Sequence, residues 1–274
     1  MVISRIISII VIMKKLLMVL AATAICGTCL FTSCKKDGDL NLEEMIIGKW
    51  ILAESKGIPA PTNNKYVITF TSPTKAYLSA SLGAHTEFST FWGSRQEVDV
   101  AIAGNIVKNT IVVNDHLTVI DDMKVTNITD TDTWGDLKIS WFVDGTLAKA
   151  AEGSIRTVKV TSDYRSAIVG TWQGRCTSAG SVFDDGQEHR WEYRADGAYI
   201  YYRQENGQWV PYDDELSEYF VDGPLLCTRW GNNGQNNYEW WEITIDAGRM
   251  KWTALRQNAD GTTFTATFEM EKVN

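Results

Sequence analysis

The residues best equipped for chemistry in this chain are its rings. Seven of the eleven Trp and seven of the ten Tyr follow residue 170. Trp191, Tyr193, Tyr199, Tyr201, Trp209, Trp230, Trp241 and Trp252 are candidates to point into a cavity or line its mouth, where they would hold a small, largely apolar ligand. The same bulky rings are also ordinary core material, and both readings stand at this point. The adjacent pairs Tyr201-Tyr202 and Trp240-Trp241 must put one ring on each face of a strand, because side chains alternate. An exterior ring beside Asn232, Asn233, Gln235, Asn236 and Asn237 would suit stacking and hydrogen bonding to a sugar, which makes a glycan platform the second functional reading.

Groups that would do catalysis are sparse and badly spaced for it. Carboxylates cluster at Asp121-Asp122, Asp184-Asp185 and Asp213-Asp214-Glu215, but a glycosidase needs two that face each other, and adjacent acids diverge; they read as solvated turns. The run Asp130 to Asp136 begins like a calcium loop, yet Trp134 takes a ligand position and Trp141 stands where the bidentate Glu belongs. His85, His116 and His189 are isolated, and no Ser lies in a nucleophile-elbow context. The chain reads as non-enzymatic, with no cofactor and no metal. A net charge of −8 without a basic block argues against nucleic acid as a partner.

The elements that must position these rings are strands. Val98, Val100 and Ile102 alternate with polar or small neighbours, as do Trp241, Ile243 and Ile245, and Phe264, Ala266, Phe268 and Met270. Turn pairs separate the runs at Gly104-Asn105, Asn114-Asp115, Asp196-Gly197, Asp222-Gly223, Ala247-Gly248 and Asp260-Gly261. Helical periodicity is short throughout, although Asp213 to Phe220 admits a turn of helix.

The pattern occurs twice. Ile46-Ile47-Gly48-Lys49-Trp50 returns as Ile168-Val169-Gly170-Thr171-Trp172, with Gly and Trp displaced by 122 positions. Tyr66 to Phe70 then corresponds to Arg190 to Tyr193, and Lys138 to Thr146 to Lys251 to Thr262. The expectation is all-β: two tandem antiparallel up-and-down β-barrels, since closure protects the edges of a small meander.

The first residues carry an address. Leu16 to Leu30 is a 15-residue apolar run after Lys14-Lys15, short of the roughly 20 residues that span a bilayer. It reads as a signal peptide whose translation starts at Met13 or, with a longer charged region that includes Arg5, at Met1. Leu30-Phe31-Thr32-Ser33-Cys34 resembles the lipobox of bacterial lipoproteins, and Lys35-Lys36-Asp37-Gly38-Asp39 resembles the surface-export signals of Bacteroidetes lipoproteins. The resemblance implies lipidation of Cys34, removal of residues 1–33 and an outer-membrane lipoprotein facing the periplasm or the cell surface. Removal leaves 23 cations against 34 anions, a net −11, so acyl chains and not charge would hold it at the membrane. Cys176 and Cys227 then remain, either as one disulfide or as two buried thiols.

Gly48-Lys49-Trp50 and Gly170-Thr171-Trp172, each opening a meander of some 100 residues, resemble the lipocalin-like domains of Bacteroidetes lipoproteins. In that family the Gly-x-Trp indole plugs the closed end of the barrel, and a late Arg packs on it. Arg156 matches that Arg in the first repeat, whereas the second has Glu269 in that region. The resemblance implies a signal peptide (1–33), a lipidated tether (34–45), a first barrel (46–160), a junction (161–167) and a second barrel (168–274). It also implies capture of a small hydrophobic or amphipathic molecule in a barrel. The alternative is a cell-surface glycan-binding or protein-interaction module whose barrels are filled by side chains.

Overall fold

The computed structural model describes residues 41–81, 91–178, 183–212, 216–232 and 237–273. Cys34 and its leader lie outside these residues, as do positions 233–236 and 213–215.

After one helical turn, α1 (Leu42–Met45), the described residues form strands almost throughout. The first repeat supplies β1 (Gly48–Ser55), β2 (Ile58–Pro59), β3 (Tyr66–Ser72), β4 (Lys75–Ala80), β5 (Gln96–Ala103), β6 (Ile106–Asn114), β7 (Leu117–Ile128), β8 (Asp132–Val143) and β9 (Thr146–Lys159). The second supplies β10 (Gly170–Cys176), β11 (His189–Tyr193), β12 (Tyr199–Glu205), β13 (Gln208–Pro211), β14 (Leu216–Asp222), β15 (Leu225–Gly231), β16 (Asn237–Asp246), β17 (Arg249–Gln257) and β18 (Thr263–Val273). Each turn pair read from the sequence falls between consecutive strands. Asp144-Gly145, Asn206-Gly207 and Ala247-Gly248 have positive φ at both residues, the twist-matched geometry of a two-residue hairpin. Asp213 to Phe220 departs from expectation: Leu216–Asp222 is strand β14, because Tyr219 and Val221 alternate inward and pair with β15.

The chain divides into two compact units. One comprises the described residues up to 57 with 66–80 and 94–157; the other comprises 58–65, 81–93 and the chain from 158 onward. In the first unit β1 and β3 to β9 pair in sequence order and β9 returns to β1, closing an eight-stranded antiparallel barrel. An eight-stranded ring leaves an interior that side chains can fill. Here Val98, Val107, Ile111, Val119, Ile139 and Trp141 do so, leaving a void of about 40 Å³.

The second unit is also an up-and-down meander, but its ring is incomplete. The strand order is β13-β12-β11-β10-β18-β17-β16-β15-β14, so the first and last strands of the repeat pair while β13 and β14 remain edges. One end of the gap is pinned. Ala198 bridges to Glu218, Tyr219 donates its amide to the Gly197 carbonyl (2.8 Å), and the Tyr219 hydroxyl donates to the Arg194 carbonyl (2.6 Å). Beyond that end β13 stops at Pro211, which has no N–H to extend a ladder.

The Gly-x-Trp motif has one structure in both repeats. Gly48 and Gly170 have φ of 130° and 128°, a region that L side chains avoid. That bend brings the carbonyl four residues before each Trp onto its indole: Trp50 donates Nε1–H to the Ile46 carbonyl at 2.6 Å, and Trp172 donates to the Ile168 carbonyl at 2.7 Å. Gly48 pairs with Phe70 and Trp50 with Ile68, just as Gly170 pairs with Tyr193 and Trp172 with Trp191. The basic residue over Trp172 is Lys272, its Nζ 5.3 Å from the ring centroid, while Glu269 points to solvent. Arg156 forms ion pairs with Glu54 (2.6 Å) and Asp132 (2.7 Å).

The disulfide reading is corrected: Cys176 and Cys227 are buried thiols that are not bonded to one another. In sheet order β18, β17 and β16 separate their strands. Burial pushes the Cys227 thiol up to about 12, so it behaves as a small hydrophobe.

Candidate functional site

Because side chains alternate, each strand of the second unit sends every other residue inward, and these inward positions are rich in rings. Trp191 sits on β11, Tyr199 and Tyr201 on β12, Trp230 on β15, Trp241 on β16 and Trp252 on β17. They meet around a cavity of about 390 Å³. Trp252 is the hub, with its ring centroid 4.7 Å from that of Trp191 and 5.4 Å from that of Trp241. Phe268 of β18 packs edge-on to Trp241 at 5.5 Å, and Phe183 and Tyr212 complete the aromatic wall.

Two of the sequence candidates lie elsewhere. Tyr193 faces inward but is fully buried against Tyr199 and Tyr219, opposite Gly170. Trp209 lies opposite Gln204, on the parity that faces outward, and carries the Arg190 guanidinium 4.4 Å above its ring. The glycan reading falls largely on positions 233–236, outside the described residues. Of the rings it placed outside, Trp240 is buried, with the Lys65 ammonium 3.4 Å from its ring centroid, and Tyr202 donates its hydroxyl to Glu192 at 2.6 Å.

Polar groups at the cavity come from residues that the search for rings passed over: Asp185, His189, Thr228 and Glu239. Two of them were accessible to the parity rule, since His189 precedes Trp191 by two positions and Glu239 precedes Trp241 by two. His189 makes a chain, its Nδ1 2.9 Å from the Tyr201 hydroxyl and its Nε2 3.2 Å from Asp185 Oδ1. Burial raises the Tyr201 phenol above its ordinary value, and the nearby Asp185 adds to the shift, so it stays a neutral hydroxyl.

Glu239 is the half-buried charge of the site. Burial raises its carboxyl above the ordinary range, while Arg256 and the indole N–H of Trp241 oppose the shift. That N–H points toward the carboxylate without completing a hydrogen bond. Arg256 Nη2 lies 3.4 Å from Glu239 Oε1 and donates to the Trp240 carbonyl at 2.7 Å, with its guanidinium carbon 4.1 Å from the Trp241 ring centroid. The cation is thus held against the wall, on a ring face and on backbone. Among the described residues no group of three or more His, Cys, Asp or Glu is placed to hold a metal ion.

No protein-family model matches the chain, and no curated protein matches it. Among solved structures it is similar to intact afifavidin in its apo form, with 8% identity over 42% of this chain and 81% of that one, and a TM-score of 0.26. It is also similar to a double mutant of the vaccine antigen transferrin binding protein B from Haemophilus parasuis, with 8% identity, 77% of this chain and 53% of that one covered, and a TM-score of 0.22. The N and C lobes of intact Ap-TbpB match 77% of this chain and 55% of their own, at 11% identity and a TM-score of 0.22. The chain spans about half the length of these last two proteins. At such scores function rests on the cavity's own chemistry.

Proposed function

We propose that the chain is a lipid-anchored, non-enzymatic outer-membrane lipoprotein that binds one small hydrophobic or amphipathic molecule in its second, Trp-rich meander. The observation that carries the reading is the contrast between the two units. The first retains about 40 Å³ of void, whereas the second retains about 390 Å³, within the range of ligand pockets, roughly 300–1,000 Å³. Side-chain filling explains the first barrel and leaves the second unexplained. The rings with a face turned away from the cavity favour this reading over an exterior platform, because Trp209 and Trp240 already carry cations on theirs.

Native mass spectrometry of protein purified from its own host tests the binding. A co-purified small molecule, lost in a Trp252→Ala variant, is expected; a chain that is empty under all extraction conditions would sink the proposal. Anchoring is tested separately. Cys34→Ser should abolish palmitate labelling, and unchanged labelling would remove the lipoprotein reading.

A further inference from the structure

The cavity presents two kinds of surface to a ligand, ring faces and carboxylates. The charged side chains at its wall are Glu239 and Asp185, and among the described residues no Lys or Arg lines it. Of the guanidiniums beside lining rings, Arg256 sits on Trp241 and is committed to Glu239 Oε1 and the Trp240 carbonyl, and Arg203, 5.2 Å from the Tyr212 ring centroid, pairs with Glu205. Glu239 is paired through Oε1 with Arg256 and lies at the cavity wall. Asp185 has an exposed side chain at the cavity's edge, where it accepts from or pairs with His189.

Those groups discriminate among amphiphiles. A fatty acid or any other carboxylate-headed ligand would bring its charge toward two carboxylates with no free cation to receive it. A positive head group meets the negative faces of the rings at this wall, Trp191 and Trp252 among them, which pack against each other with centroids 4.7 Å apart. Cation–π attraction strengthens when the cation is desolvated, and this wall is mostly apolar. Resting on the cavity reading above, we infer that the natural ligand is an organic cation, a planar amine or heteroaromatic ammonium ion, seated against the aromatic wall with its charge toward Glu239 and Asp185.

Three bicyclic probes of similar shape test this by isothermal titration calorimetry on the intact chain: 1-methylquinolinium, neutral 1-naphthol and anionic 1-naphthoate. The expected result is saturable one-to-one binding with the cation at least tenfold tighter than naphthol, and naphthoate weakest. Glu239→Gln should lower the ratio of cation to naphthol affinity at least fivefold. Because that variant leaves Arg256 without its carboxylate, Asp185→Asn, at an exposed position, serves as the second; it should lower the same ratio at least twofold. Naphthol or naphthoate binding as tightly as the cation overturns the inference while leaving the cavity as a binding site. Absence of saturable binding for all three overturns both.

Discussion

Inside the first barrel Asp121 of β7 faces its cross-strand partner Asn109 of β6, and the Oδ1 atoms of both are buried without a hydrogen-bond partner beside the 40 Å³ void. Two acceptors with no donor between them favour a proton on the carboxyl. Burial, with a smaller contribution from the Asp122 charge, pushes Asp121 up to about 7. The folded state thus binds this proton more tightly than the unfolded chain does. Its contribution to stability is complete below the unfolded value of about 4 and is lost as pH rises toward 7, on the order of 4 kcal/mol in all. Urea unfolding of the wild type between pH 4 and 8 should therefore show a falling midpoint that Asp121→Asn flattens. Parallel pH profiles for the two proteins would refute the assignment. This residue was invisible in the sequence, where Asp121-Asp122 reads as a solvated turn. An inward Asp breaks the alternation of β7, and no local rule predicts such a break; only the register with Asn109 reveals it. The aromatic wall was more legible, since its rings share one parity along their strands. His189 and Glu239 obey the same parity and went unrecognised because polar residues are taken by default to face water.

At the scale of elements, the second unit depends on the seam between β10 and β18, since these strands join the first and last parts of its meander. Gly174 sits in that seam where the backbones come very close. A Cβ there would lie 1.9 Å from the Glu269 carbonyl oxygen and 2.7 Å from the Met270 Cα, both backbone atoms that cannot swing aside. Gly174→Ala should cost about 2–3 kcal/mol or more, the upper end of overpacking costs. It should also accelerate hydrogen exchange across β10 and β18 ahead of the rest of the unit. A variant with wild-type stability and unchanged protection there would show that the seam yields without loss. The neighbouring Gly170 makes a useful contrast, because the nearest atoms to its Cβ position belong to the flexible Lys272 side chain and its requirement is the φ of 128°. Hairpins were legible from sequence because Asp-Gly, Asn-Gly and Ala-Gly pairs encode their own twist. The open edge between β13 and β14 was not, because ring closure depends on how far strands reach across the sheet and not on any residue within them.

At the scale of the molecule, the repeat boundary and the packing boundary differ. The Gly-x-Trp landmarks divide the chain cleanly between residues 160 and 168, yet the second compact unit also takes in residues 58–65 and 81–93. Those segments do structural work within it. Lys65 is almost fully buried, with its ammonium on Trp240, Phe91 stacks on Phe220 with centroids 4.6 Å apart, and Trp92 donates Nε1–H to Asp222 at 2.6 Å. Duplication is detectable as a repeated motif, whereas this packing is carried by loop residues whose neighbours are set only in three dimensions. A fragment of residues 161–274 contains every residue at the wall of the large cavity but would leave Trp240 and Phe220 uncovered. Losing the burial of such large side chains costs several kcal/mol, at about 25 cal/mol per Å² of apolar surface. With a shift of about 4–8 °C per kcal/mol for a domain of this size, the fragment should melt more than 10 °C below the intact chain and bind a hydrophobic dye on its new surface. The double substitution Phe91→Ala and Trp92→Ala in the intact chain should reproduce part of that loss. If the fragment instead melts as the intact chain does, the loop segments are dispensable, and the unit folds as the repeat alone would suggest.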